Sequence, residues 1–106
     1  MAKFKMVVLT NAVDGRDAEF NSWYDDVHLP DVMDIPGIVG AERFRMREGS
    51  RWNYLAIYDV DCDNVTDVQN ELDARAGTDR MTMTDALDMA DIYMGIAETI
   101  TPYRSA

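Results

Sequence analysis

Between residues 39 and 60 the chain spells out a hairpin. Val39 to Arg47 alternates, with Arg43, Arg45 and Arg47 on one side and Phe44 and Met46 on the other. Gly49-Ser50 is a turn signal, and Trp52 to Val60 alternates again. Trp52, Tyr54, Ala56 and Tyr58 line one face of that segment, Leu55 and Ile57 the other. Two antiparallel strands joined in this way need further strands and a covering layer, and the flanking segments supply both. Phe4 to Thr10 is short, β-branched and apolar on both faces, and the turn-like run Asn11 to Gly15 bounds it. Ile92 to Thr101 reads as a last strand.

Helices fill the gaps. Asp14 is a fair N-cap for a helix from near Arg16 to about His28, with Asp17 in its first turn. Pro30 lacks the next backbone donor and is expected to end or kink that helix. Asp31 to Ile35 adds a turn before Pro36-Gly37 breaks the chain. Asp63 or Asn64 caps a second helix through about Ala76, with Val65, Val68 and Leu72 as its apolar stripe and Gly77 ending it. Thr78 to Ala90 reads as a loop with a short helix at Thr84 to Met89. The order β-α-β-β-α-β is the α+β, ferredoxin-like arrangement: a four-stranded antiparallel sheet with both helices on one face. Trp52, Tyr54, Tyr58 and one row of the first strand are too apolar to leave bare on the opposite face. A second copy packed sheet to sheet is the expected cover, giving a homodimer.

The bulk numbers narrow the function classes. The 106 residues make one domain, 1–106. A net charge of -10 argues against nucleic acid and anionic membrane as partners. The lone cysteine, Cys62, excludes an internal disulfide. No stretch approaches the roughly 20 apolar residues that span a bilayer. The first ten residues alternate and carry two lysines rather than a signal core, so a cytoplasmic location is expected.

The chemistry gathers around the only histidine. At helical spacing Phe20, Tyr24 and His28 share a face, with Trp23 and Val27 in a parallel row. Imidazole titrates near pH 6.5, so His28 is the candidate general acid/base. Tyr24, one turn earlier, is the candidate donor to a developing oxyanion. Asp25, three residues from His28, is better placed than Asp26 to orient the imidazole. The same spacing also describes a core-edge helix whose histidine caps its own C-terminus and whose aspartates face solvent. Trp23 is either a stacking platform or an apolar anchor. Arg43 either binds a carboxylate or phenolate or belongs to a solvent or intersubunit face. Glu98 shares a row with Ile92, Met94, Ile96 and Ile100, where burial would raise its pKa, unless it reaches water near the strand end. One histidine and one loop cysteine do not make a catalytic zinc set, and no Gly-rich phosphate loop is present.

The run Asn11…Gly15-Arg16, Glu19-Phe20…Trp23-Tyr24…His28-Leu29-Pro30-Asp31-Val32, followed by Pro36-Gly37-Ile38-Val39…Ala41…Arg43-Phe44, resembles the EthD-like branch of the dimeric α/β-barrel superfamily. The motif covers about residues 11 to 45, the order of elements nearly the whole chain. What the resemblance implies is a small-molecule site in each subunit, between the sheet and its helices. Relatives include lactone isomerases, polyketide-type cyclases, cofactor-free oxygenases of aromatic substrates and haem enzymes. His28, beside Pro30, does not match the haem-ligand position of those relatives. Such a fold cannot assign a reaction. The expectation is cofactor-free isomerase, cyclase or lyase chemistry on a hydrophobic or aromatic small molecule. His28 shuttles the proton, Tyr24 donates to the substrate oxygen and Asp25 orients. Trp23, Arg43 and Glu98 shape the pocket. The rivals are a cofactor-free monooxygenase of a phenol and a non-catalytic binding or accessory subunit.

Overall fold

The computed structural model describes residues 2–106. Four strands, β1 (Ala2–Thr10), β2 (Ile38–Arg45), β3 (Tyr54–Cys62) and β4 (Tyr93–Glu98), form one antiparallel sheet in the order β2-β3-β1-β4. β1 pairs Met6 with Tyr58 of β3 and with Ile96 of β4, and β3 in turn pairs Tyr58 with Ala41 of β2. Residues level with one another across antiparallel strands share a face. Met6, Val8, Ala56, Tyr58 and Val60 therefore form one row set, and all five are buried. Onto that face pack α1 (Asp17–Trp23), a wider π turn (Tyr24–His28), α2 (Leu29–Met33) and α3 (Val65–Arg75), bringing Phe20, Val32, Ile35, Val68 and Leu72 into the core.

This is the ferredoxin-like arrangement, and the order of elements is the expected one. The face assignment is not. Tyr54 and Tyr58 turn toward the helices, and Trp52 lies ahead of β3 against Tyr93 of β4. The uncovered face carries Val7, Leu9, Leu55 and Ile57, all half-buried, with exposed Tyr93. At one end stand Lys5, Glu42 and Asp59, Lys5 and Asp59 forming an ion pair. Alternation divides a strand into two rows without saying which row the helices cover. Here both rows are apolar.

The helix ends follow local chemistry. Asn64 caps α3 by accepting from the Thr66 amide at 3.0 Å, and the chain leaves at Gly77 with φ +82°. Asp14 does not cap α1. Arg16 holds that position without a side-chain cap bond, while Asp17 and Glu19 place negative charge in the first turn. Pro30 does not end the first helix either. The backbone stays right-handed helical through Trp23, His28 and Leu29, and the Leu29 amide reaches back five residues to the Tyr24 carbonyl. The break expected at proline is absorbed by widening the turn ahead of it. Thr78 to Ala90 forms turns and one bridge, Ala12 with Leu87, in place of the short helix. Arg75, almost fully buried, pairs with Glu71 one turn earlier in α3 at 2.9 Å and ties that helix to the end of α2 through Asp34 at 3.3 Å.

Candidate functional site

The π turn decides where the aromatic side chains go. In a turn of 3.6 residues, positions 23 and 28 would stand well apart around the axis. The widened turn brings His28 back over Trp23, ring centroids 4.5 Å apart and nearly parallel, and leaves it edge-on to Tyr24 at 4.9 Å. Trp23 is anchored in turn, its indole N–H donating to the Thr82 carbonyl at 2.9 Å. Beneath them the Tyr58 hydroxyl, from the middle of β3, meets the Tyr24 hydroxyl at 3.2 Å.

Arg43 reaches in from β2. Its guanidinium lies 4.4 Å from the centroid of the Tyr24 ring, and Phe20 and Tyr54 flank it at 5.7 Å each. It donates to Asn21 Oδ1 at 2.6 Å and to Asp25 Oδ1 at 2.8 Å, leaving its side chain 14% exposed. Asn21 and Asp25 stand four apart and grip it together. Asn21 also donates to the Tyr54 hydroxyl, which donates to Asp17. A groove of about 410 Å³ opens at this edge, lined by Asn21, Asp25, Arg43, Phe44, Arg45 and Tyr54. A larger groove, about 610 Å³, crosses the uncovered sheet face and is separated from His28 by the sheet.

Burial sets the protonation states. Desolvation lowers the His28 pKa to about 4; the Asp31 carboxylate raises it against that trend and Arg43 lowers it further. His28 is therefore neutral at pH 7. Its Nδ1 is buried with no hydrogen-bond partner among the described residues, an arrangement that costs roughly 1–3 kcal/mol and calls for an explanation. Tyr24 is raised by desolvation, with the Tyr58 hydrogen bond and Arg43 acting against it. Tyr58 is pushed up as well, first by burial and then by Tyr24.

Of the residues singled out in the sequence, Trp23, Tyr24, His28 and Arg43 come together. Asp25 joins them through Arg43 and not through His28; the carboxylate acting on the imidazole is Asp31, one turn further on. Glu98 stands apart. It lies exposed on β4, level with Phe4, while Arg43 is on β2 at the other edge of the sheet. Reasoning from sequence passed over Asn21 and Tyr58. Asn21 had a signal in its four-residue spacing from Asp25. Tyr58 belongs to the visible aromatic row of β3, which alternation alone does not orient toward the helices. Among the described residues no cluster of three or more His, Cys, Asp or Glu is arranged to hold a metal ion. No helix is long and apolar enough to cross a membrane.

No protein-family model matches the chain, and no curated protein matches it in sequence. Solved structures do match. An EthD family protein of Bacillus halodurans superposes with a TM-score of 0.59 at 16% identity, over 92% of this chain and 99% of that one. A dimeric ferredoxin-like protein of unknown function from Thermobifida fusca gives 0.52 at 12% identity, over 92% of each chain. HapK from Hahella chejuensis gives 0.51 at 14% identity, over the full length of both. At these identities the likeness is one of fold.

Proposed function

We propose that this chain is a small-molecule enzyme performing cofactor-independent acid/base chemistry on a hydrophobic or aromatic substrate. The observation that carries the reading is the orphaned Nδ1 of His28, a buried basic nitrogen on a π turn with a phenol and a guanidinium beside it. Such turns recur at functional sites. The imidazole takes a proton from a carbon next to a carbonyl, the electron pair moves onto the carbonyl oxygen, and Tyr24 donates to the resulting enolate. His28 then returns the proton at another atom, as an isomerase, cyclase or lyase requires. Arg43 makes the transfer self-reinforcing. Its charge suppresses His28 in the free protein, and negative charge forming on substrate offsets that field and raises the basicity of His28. Because Nδ1 is sealed in the free protein, substrate enters by parting the edge contact between His28 and Tyr24.

Each subunit works within a homodimer formed through the uncovered sheet face. The apolar set Val7, Leu9, Leu55 and Ile57 supports this, as does the dimeric state of the Thermobifida fusca neighbour. Asp25 serves as the clamp that holds Arg43 over the tyrosine.

The low basicity of His28 also favours a second reading, in which the pocket holds a ligand without turning it over. Screening phenols, lactones and β-keto esters, with oxygen consumption recorded, separates these. Turnover without oxygen uptake that falls about 10²-fold or more in His28→Ala supports proton transfer. Stoichiometric oxygen uptake would identify a monooxygenase, and tight binding with no product in any variant would leave only the holding role.

A further inference from the structure

We infer that Asp17, acting through Tyr54 and Asn21, is a positioning residue that holds the Arg43 guanidinium over the Tyr24 ring. Its bearing on the chemistry rests on the role proposed for Arg43. Four side chains from three elements form one line. Arg43 Nη2, from β2, donates to Asn21 Oδ1 at 2.6 Å. Asn21 Nδ2, on α1, donates to the Tyr54 hydroxyl at 3.3 Å. That hydroxyl, from β3, donates to Asp17 Oδ2 at 2.5 Å, and Asp17 opens α1 one turn before Asn21.

Both ends fix the direction of this line. A guanidinium can only donate, so the amide turns its oxygen to Arg43 and its nitrogen to Tyr54. A carboxylate can only accept, so the Tyr54 proton goes to Asp17 and the phenol oxygen is left to receive from Asn21. Without that acceptor the Tyr54 proton competes for the Asn21 oxygen, and the amide is no longer held with its oxygen toward Arg43. The place of the line in the fold gives it a purpose. Arg43 has a second anchor in Asp25, but that carboxylate is 60% exposed and stands on the π turn proposed to part for substrate. Asp17, Asn21 and Tyr54 lie on α1 and β3, off that turn, and Tyr54 is buried. The guanidinium therefore keeps its place beside the Tyr24 ring when the turn shifts.

The test uses the full chain with arginine labelled by 15N at Nη and 13C at Cζ, the Arg43 signal being the one missing from Arg43→Lys. In the parent chain, rotation about the Arg43 Cζ–Nη2 bond should be slow. Asp17→Ala and Tyr54→Phe should each speed it about five-fold, the loss of one hydrogen bond. Asp17→Asn gives up the charge and keeps an acceptor for Tyr54, so rotation should stay slow. Equal rotation in the parent and in Tyr54→Phe overturns the inference. So does a speeding in Asp17→Asn as large as in Asp17→Ala, which would make Asp17 a charge at the helix start and nothing more. Phenolates should bind Asp17→Ala about five-fold more weakly and anisole equally well. Rotation that responds as expected with no change in phenolate affinity contradicts the role proposed for Arg43 and upholds the positioning, which is read without ligand.

Discussion

The imidazole of His28 stacks on the indole of Trp23 at 4.5 Å although five residues separate them. The widened turn from Tyr24 to His28 makes that contact, and the same turn lets the helix continue through Pro30. One backbone irregularity thereby desolvates the single histidine and keeps the chain on course to bury Val32 and Ile35. The chemistry of the site depends on that desolvation.

Acidification should destabilise the fold through His28. Its folded pKa of about 4 lies below the unfolded value of 6.5, so between these pH values the unfolded chain binds more protons. The contribution is complete above about pH 6.5, falls as pH drops through that window and levels off below about 4. Over the full window it amounts to roughly 3 kcal/mol. Urea denaturation at pH 7 and 4.5 should show this loss, and His28→Gln should remove the histidine's share of it.

Replacing Arg43 should release His28. Arg43 lowers the histidine pKa by its charge and covers the Tyr24 ring. In Arg43→Met the His28 pKa should therefore rise, and affinity for phenolate probes should fall about 10-fold as the guanidinium is lost. Arg43→Lys restores the charge without the two-pronged grip on Asn21 and Asp25, and should recover only part of the affinity. NMR titration of the one histidine, with phenolate binding isotherms, reads both effects.

Much of the architecture was legible. Alternation in residues 4–10, 39–47 and 52–60, the Asn64 cap and the glycine exits at Gly37 and Gly77 all mark their elements. The sheet's orientation was not, because Val7, Leu9, Leu55 and Ile57 make the uncovered row as apolar as the row that includes Met6, Val8 and Ala56. The site was half legible. His28, Tyr24 and Trp23 are close in sequence, but their mutual geometry depends on a π turn that periodicity does not encode. Arg43 and Tyr58 reach the site through strand register, a long-range property. Glu98 lies in an apolar row, and its place as the last residue of the edge strand β4 explains its exposure.

Gly37 should tolerate no side chain. Its φ of +100° disfavours L-residues, and a Cβ there would lie 3.1 Å from Val68 Cγ2 and 3.2 Å from Cys62 Cβ. Gly37→Ala should cost about 2 kcal/mol, combining backbone strain with overpacking against α3. Thermal or urea unfolding measures it. Gly49→Ala, at a positive φ with open space around it, should cost less.

The uncovered face should hold the dimer. Ile57 lies in its apolar set and lines the groove across it. Ile57→Asp would bury an unpaired carboxylate at a two-fold contact, so sedimentation should find the unsubstituted chain at twice 12.0 kDa and the variant at 12.0 kDa. A parent chain that sediments as a monomer at micromolar concentration removes the dimer from the account.

The central claim is that His28 is a desolvated base, sealed in the free protein and reached by substrate on binding, and a 15N titration of its ring tests this most directly. The account predicts a pKa near 4 in the free protein. It further predicts a large 15N shift at Nδ1, and a higher pKa, when a phenolic or lactone ligand binds. A pKa near 6.5 that no ligand displaces would contradict it and leave His28 as a surface residue at a helix turn.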